Sequence, residues 1–232
     1  MNIPYFKVSG WDGAIRSYFM TNKKYNDDIE KRLLAVERGC PYNLGDEIWY
    51  EDLQKRVLNT GKKHTTLLRF IDITFVVDGL HRGGQDDFDS HAKRLESRIV
   101  RMTTRVNDNE KLAYVSDYYD GKILTFDDLK KIFNLPSTVT CDGKDYVMTP
   151  FGYVKDEFKN DKDVKRGLVP LAVSSMFTVK VNITELCHIV RERAPGSAAH
   201  PELQEMIRLL VEEHVEPELG LDMEWLKNNC FQ

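Results

Sequence analysis

The sequence predicts a fold of the α/β (α+β) class: one domain over residues 1–232, with a mixed or antiparallel sheet flanked by helices. Three observations predict it. Two long extended stretches, 65–77 and 169–181, are rich in β-branched and aromatic residues. Amphipathic helical patterns lie before, between and after them. The chain has no repeat, no low-complexity tract and no linker rich in Pro, Gly or Ser.

Taken in order, residues 26–38 read as an amphipathic helix with Ile29, Leu33, Leu34 and Val36 apolar, stopped by Gly39-Cys40-Pro41. A second helix is expected over 45–60, with Ile48, Leu53, Val57 and Leu58 inward. The extended stretch 65–77 follows, and Asp78-Gly79 and Gly83-Gly84 are expected to break the chain after it. A long helix is then predicted, with an apolar stripe of Phe88, Ala92, Leu95, Ile99, Met102 and Val106. A strand over 112–119 meets the hairpin-type pair Asp120-Gly121 and continues through 122–126. Thr125-Phe126-Asp127-Asp128 reads as a capping box opening a short helix to Leu135, which Pro136 ends. Asp142-Gly143 marks a tight turn, 169–181 is extended, and 182–194 and 201–215 are helices separated by Pro195-Gly196.

Composition narrows the classes of partner. Apolar residues make up 41% and charged residues 30%, with a net charge of −4, so the chain is not built to coat nucleic acid. Cys40, Cys141, Cys187 and Cys230 have neither zinc-site spacing nor the density of a disulfide scaffold. No apolar run has the length of a signal peptide core or a membrane span, so a cytoplasmic protein is expected. Rossmann, P-loop, G-x-S-x-G and H-E-x-x-H motifs are all missing. No metal site is expected: His81 has Asp86 and Asp87 nearby, but the surrounding glycines point to a mobile loop.

The strongest local feature is cationic. Spacings of four, three and four residues place Arg94, Arg98, Arg101 and Arg105 on one face of the predicted long helix. Stacked like charges repel, whereas arginines grip phosphate or carboxylate bidentately. A small anionic ligand is one reading; a solvated face neutralised by Asp86, Asp87, Asp89 and Glu96 is the other.

The segment 166–186, from Arg166-Gly-Leu-Val-Pro170 to Asn182-Ile-Thr-Glu-Leu186, resembles the C-terminal core of the flavin-dependent thymidylate synthases, the ThyX family. There an Arg-x-x-x-Pro strand leads into Asn-x-Arg-x-Leu, and an arginine follows eleven residues after the Asn, where this chain has Arg193. Glu202-Leu203-Gln204 stands where the family has a Glu-Ile-Arg-like triplet. Arg69-Phe-Ile-Asp-Ile-Thr-Phe75 resembles the family's Glu-His-x-x-Phe-Thr-Phe strand. Lys93-Arg94-Leu95, then seven residues, then Thr103-Thr104-Arg105 keeps the spacing of its Arg-His-Arg signature. The resemblance spans roughly 65–210.

The resemblance implies the family's α/β fold, a homotetramer, and reductive methylation of dUMP to dTMP. FAD carries the hydride, methylenetetrahydrofolate supplies the carbon, and NADPH reduces the flavin. It implies that Thr103 and Arg105 hold the nucleotide phosphate and that Arg166 assists; Arg101, which the family pattern does not ask for, adds cationic charge nearby and is counted among the substrate-binding residues. Arg193 is expected to polarise the uracil ring and stabilise charge developing on it. Asn182 and His188 are expected to touch the flavin, and Lys93 and Arg94 to face its phosphates or the nucleotide.

Departures fall on positions that line the flavin site in relatives: Arg94 for histidine, Leu95 for arginine, Thr103 for serine, Thr184 for arginine and Phe70 for histidine. Two alternatives therefore stand beside the leading one: action on another pyrimidine nucleotide, or a non-catalytic nucleotide binder that has lost flavin. Arg193 also has a purely structural reading, because a cation at a helix C-terminus complements the dipole.

Overall fold

The computed structural model describes residues 1–89, 98–101, 115–119 and 121–229. Two elements that the apolar periodicity did not announce open the chain, strand β1 (Asn2–Ser9) and helix α1 (Trp11–Thr21). Gly10 joins them at φ 81°, and a Cβ there would lie 1.9 Å from the Phe70 carbonyl oxygen, so only glycine fits. Helix α2 (Asp27–Glu37) starts where expected, its Asn26 cap accepting from the Ile29 N–H at 2.9 Å. Helix α3 (Asp46–Gly61) buries Leu53, Val57 and Leu58, but Ile48, expected inward, is exposed.

The stretch 65–77 divides. Thr65–Phe70 is a 3₁₀ turn, and β2 runs from Asp72 to His81. Leu67 and Leu68 are both buried while Arg69 and Phe70 are both exposed, a pattern that alternating strand side chains cannot satisfy. Helix α4 (Arg82–Asp89) follows β2 without a break, so Gly83-Gly84 lies inside a helix and not in a loop.

The predicted arginine helix does not form across its middle: Arg98–Arg101 is strand β3. Its Ile99 and Val100 sit opposite Val179 and Thr178, where β-branched residues suit a sheet better than a helix. Strands alternate faces, so a four-three-four helical stripe is lost. Arg94 and Arg105 lie outside the described residues, as do Lys93 and Thr103. The expected 112–126 hairpin is replaced, among the described residues, by a single bridge between Val115 and Val173 and a 3₁₀ turn at Asp117–Tyr119.

The capping box forms as expected on α5 (Phe126–Phe133), with Asn134 left-handed at φ 48°. Strands β4 (Thr138–Cys141), β5 (Lys144–Thr149) and β6 (Gly152–Lys155) make a separate meander, turned at Asp142 and Gly143 with φ 50° and 70°. Helix α6 (Lys162–Gly167) precedes β7 (Ser174–Asn182). Then come α7 (Ile183–Arg193), α8 (Pro201–Leu210), a π turn at Val211–Val215, α9 (Glu216–Leu219) and α10 (Met223–Asn228).

The larger sheet has the order β1-β2-β7-β3, with every pair antiparallel. Ile73, Phe75 and Val77 of β2 face Val181, Val179 and Phe177 of β7, and all six are buried. Helices α7 and α8 add Leu186, Val190, Leu203, Met206 and Ile207 to this core, each burial stabilising by about 1.5–3 kcal/mol.

One irregularity in β2 positions the site. Between Val77 and Leu80 the strand advances three residues while β7 advances two, from Phe177 to Ser175. Such a bulge reverses which residues face the core. Leu80 thereby continues the buried apolar row, and His81 turns to the opposite face beside Ser174. Gly79 takes the left-handed conformation at φ 96° that the bulge requires. Cys40, Cys141 and Cys187 form no disulfide among the described residues, and Cys230 lies outside them. No described helix is long and apolar enough to cross a membrane.

Candidate active site

His81 leaves β2 into a space cleared by the next turn. A Cβ on Gly84 would come within 2.8 Å of the His81 ring, so the glycine pair makes room for an imidazole. The Arg82 and Gly83 N–H groups are held by the carbonyls of Val173 and Leu171, and the Ser116 N–H by that of Ala172. The segment before β7 thus ties the start of α4 to the 115–119 turn.

Over this frame stands the N-terminus of α8. His200 caps it, its Nδ1 accepting from the Glu202 N–H at 3.2 Å, and Pro201 occupies the first turn. Glu202 turns inward, where one carboxylate oxygen meets His81 Nδ1 and the other accepts from the Ser116 hydroxyl. His81 and Glu202 are 3% and 6% exposed, burial that a carboxylate tolerates only with partners. Tyr119 Oη lies 3.2 Å from His200 Nε2, and the His81 and His200 ring centroids are 4.4 Å apart. Burial pushes the Glu202 carboxyl up, but hydrogen bonds from His81 and Ser116 outweigh it and hold the group below its usual range. Burial, then the neighbouring His81, holds His200 below the ordinary imidazole range. Burial, with Glu202 nearby, raises the Tyr119 phenol.

Arg193 joins this cluster through α4. It is the last residue of α7, and its Nη2 lies 3.3 Å from both Asp87 Oδ1 and the Asp87 carbonyl oxygen. The other Asp87 oxygen accepts from the His200 N–H at 3.5 Å. Acid, arginine and the buried His–Glu group are therefore one connected array. On the neighbouring part of α4, Arg101 is gripped by Asp86 and, at 2.9 Å, by Asp89 and the Gln85 carbonyl oxygen. Of the predicted cationic stripe, Arg101 is thus paired with Asp86 and Asp89, while Asp87 pairs with Arg193 outside it.

The other expected site residues separate. Asn182 is the cap of α7, its Oδ1 accepting from the Glu185 N–H at 2.8 Å. Arg193 follows eleven residues later, three helical turns, hence on the same face but about 16 Å away along the axis. His188, half-buried with Nδ1 3.5 Å from Arg191 Nη2, falls on a different face of α7 from Asn182. Arg166 belongs to α6.

His200, Ser116 and Tyr119 were not singled out from the sequence, and His81 was expected in a mobile loop. The available signals were local: His-Pro-Glu at a helix start, and paired glycines beginning two residues after a histidine.

A second concavity lies between α1, α3 and the 65–70 turn. It is a cleft of about 620 Å³ lined by Ser17, Thr21, Thr60, His64, Thr66 and Phe70. Phe70 presents its ring with 46% exposure, packed over Gly13, where a Cβ would lie 3.0 Å from that ring.

No protein-family model matches the chain, and no curated protein matches it by sequence. Solved structures do match. The flavin-dependent thymidylate synthase ThyX from Helicobacter pylori, complexed with FAD and dUMP, aligns over 100% of both chains with TM-score 0.53 and 14% identity. A second structure of that enzyme, also with FAD and dUMP, aligns over 97% of this chain and 98% of its own with TM-score 0.51 and 14% identity. The mixed architecture, antiparallel sheets flanked by helices, is the fold of these flavin-dependent thymidylate synthases over the whole chain.

Proposed function

We propose that the protein is an enzyme that reductively methylates a pyrimidine nucleotide, dUMP to dTMP, with FAD as the hydride carrier. The supporting observation is that Arg193, eleven residues beyond the Asn182 cap, is fixed at the end of α7 by Asp87. It does so in a fold like that of a synthase crystallised with FAD and dUMP.

The residues present fit a flavin. The 620 Å³ cleft is within the size range of small-molecule sites, and the exposed Phe70 ring offers a stacking surface among hydroxyls. Thr184 Oγ1, two residues after Asn182, is buried without a protein partner among the described residues, so a polar group of a bound molecule would complete it. Asn182, Thr184 and Phe70 would hold the cofactor, with Lys93 and Arg94 facing its phosphates. When bound, FAD supplies hydride to the one-carbon unit from methylenetetrahydrofolate, and NADPH restores it.

Arg193 places a permanent cation against the uracil as negative charge develops, and Asp87 keeps the guanidinium in register. Thr103, Arg105 and Arg166 hold the nucleotide. Arg101 joins them when the exposed Asp86 releases it to a phosphate oxygen. The active unit is a homotetramer of single-domain chains.

The visible spectrum of the purified protein with added FAD, followed by a dUMP methylation assay, tests this reading. A bound-flavin spectrum with turnover is expected, and Arg193→Ala is expected to abolish turnover while flavin stays bound. A colourless protein that ignores FAD but still binds dUMP by calorimetry would replace the enzyme with a nucleotide binder. A flavoprotein turning over a different pyrimidine nucleotide would move the substrate.

A further inference from the structure

The three side chains His81, His200 and Glu202 converge from the end of β2 and the start of α8, with ligand atoms all within 4.8 Å of one another. We propose that they form a binding site for a divalent first-row transition ion of the zinc class. The donor set chooses the ion: two imidazoles and one carboxylate suit zinc and its neighbours, whereas calcium and magnesium take oxygen ligands. Two histidines with a glutamate is also a set that leaves one coordination position for water.

A buried hydrogen bond between His81 and Glu202 accounts for two of these residues and not for the third. Nothing in that pair requires a second imidazole 4.4 Å away, centroid to centroid. The surroundings are those of ligands held in place. Ser116 donates to the Glu202 oxygen remote from His81, fixing the carboxylate plane. Tyr119 Oη accepts from His200 Nε2–H when Nδ1 is the ligating nitrogen, setting the tautomer. Ser174 is 1% exposed, its hydroxyl has no protein partner among the described residues, and it stands directly opposite His81 in the ladder. Cross-strand neighbours share a face, so this hydroxyl lies beside the His81 ring, where it would accept from a metal-bound water.

Tetrahedral zinc spaces its ligands about 3.4 Å apart. The direct His81–Glu202 contact opens to admit the ion, and the separations of up to 4.8 Å close by about 1.4 Å at most. His200, half-buried at the helix cap, is the ligand with room to move, and it exchanges the Glu202 N–H for the metal. The positive end of α8 opposes a cation, and the carboxylates of Glu202 and Asp87 offset it.

The site does not depend on flavin, so its test reads metal and not turnover. Full-length protein stripped with a chelator is titrated with Zn²⁺ by calorimetry and with Co²⁺ by visible absorption. One equivalent is expected, with the intense bands of tetrahedral cobalt. His200→Gln, at a half-buried position, and the isosteric Glu202→Gln are each expected to weaken zinc binding at least ~100-fold, and Ser116→Ala about tenfold. Circular dichroism confirms that each variant is folded. Sub-stoichiometric or unsaturable binding by the stripped wild type overturns the proposal, whatever the variants do. Folded His200→Gln and Glu202→Gln proteins that bind zinc as tightly as wild type overturn it too.

Discussion

The two sheets are built on opposite principles. In the larger one, β2 and β7 alternate with near-complete burial, and Phe75, Val77, Val179 and Val181 are wholly enclosed. In the β4–β6 meander only Thr149 and Val154 are buried. A three-stranded sheet with so little apolar cover is marginal alone. Its definition comes from turn chemistry: left-handed Asp142-Gly143, the Thr125–Asp128 capping box, Tyr153 donating to the Pro136 carbonyl, and the Phe126–Tyr153 edge contact at 6.0 Å. One sheet is fixed by what it excludes from water, the other by which backbone conformations its residues permit.

Substitutions separate the two. Phe75→Ala, at a fully buried position between β1 and β7, is expected to lose about 3–5 kcal/mol of global stability in denaturant unfolding. A loss under 1 kcal/mol would mean that the large sheet does not carry the fold.

Asp46 gives the same half of the molecule an acid dependence. Its carboxylate is enclosed, accepting from the Asn43 N–H at 3.0 Å and from Arg32 at 2.7 Å. Burial raises its pKa, but the Asn43 backbone and the Arg32 guanidinium overcome this and leave it lowered. Because the folded value lies below the unfolded carboxylate value of about 4, the stabilisation is present above that pH and lost as pH falls through the folded value. Asp46→Asn is expected to flatten this limb of the stability–pH curve. An unchanged limb would assign the acid sensitivity elsewhere.

Thr125→Ala, which removes the capping box of α5, is expected to cost about 1 kcal/mol, seen as faster amide exchange in 126–133 without a matching change in the core strands. Equal effects in both places would merge the two regions into one cooperative unit. The smallest expectation is for Thr140→Ala on exposed β4, within about 0.5 kcal/mol by thermal unfolding.

The same division explains what could be read in advance. Helices with one apolar face and side-chain caps, α2, α5, α7 and α8, were legible because period and cap are both local. The ladder partners were not, and β3 shows why: Arg98–Arg101 carries helix-compatible spacing, and only Val179 and Thr178 across the gap make it a strand. Of the site, the motif spacing singled out Arg193, which the structure joins to Asp87, and the acid-rich stretch 86–89 holds Arg101 of the stripe. Glu202 was placed by resemblance, but its meeting with His81 spans 121 residues and turns on the bulge, which no periodicity records.

That bulge ties the histidine cluster to the backbone conformation of two residues, Asp78 and Gly79. Pleated without it, the same residues would place His81 in the oily row with Phe75 and Val77 and turn Leu80 outward. A β-branched side chain at Gly79 would resist its φ of 96° and favour that regular pleating, putting imidazole in place of leucine at the core face without touching a ligand residue. One left-handed glycine thus decides which face of the strand carries chemistry.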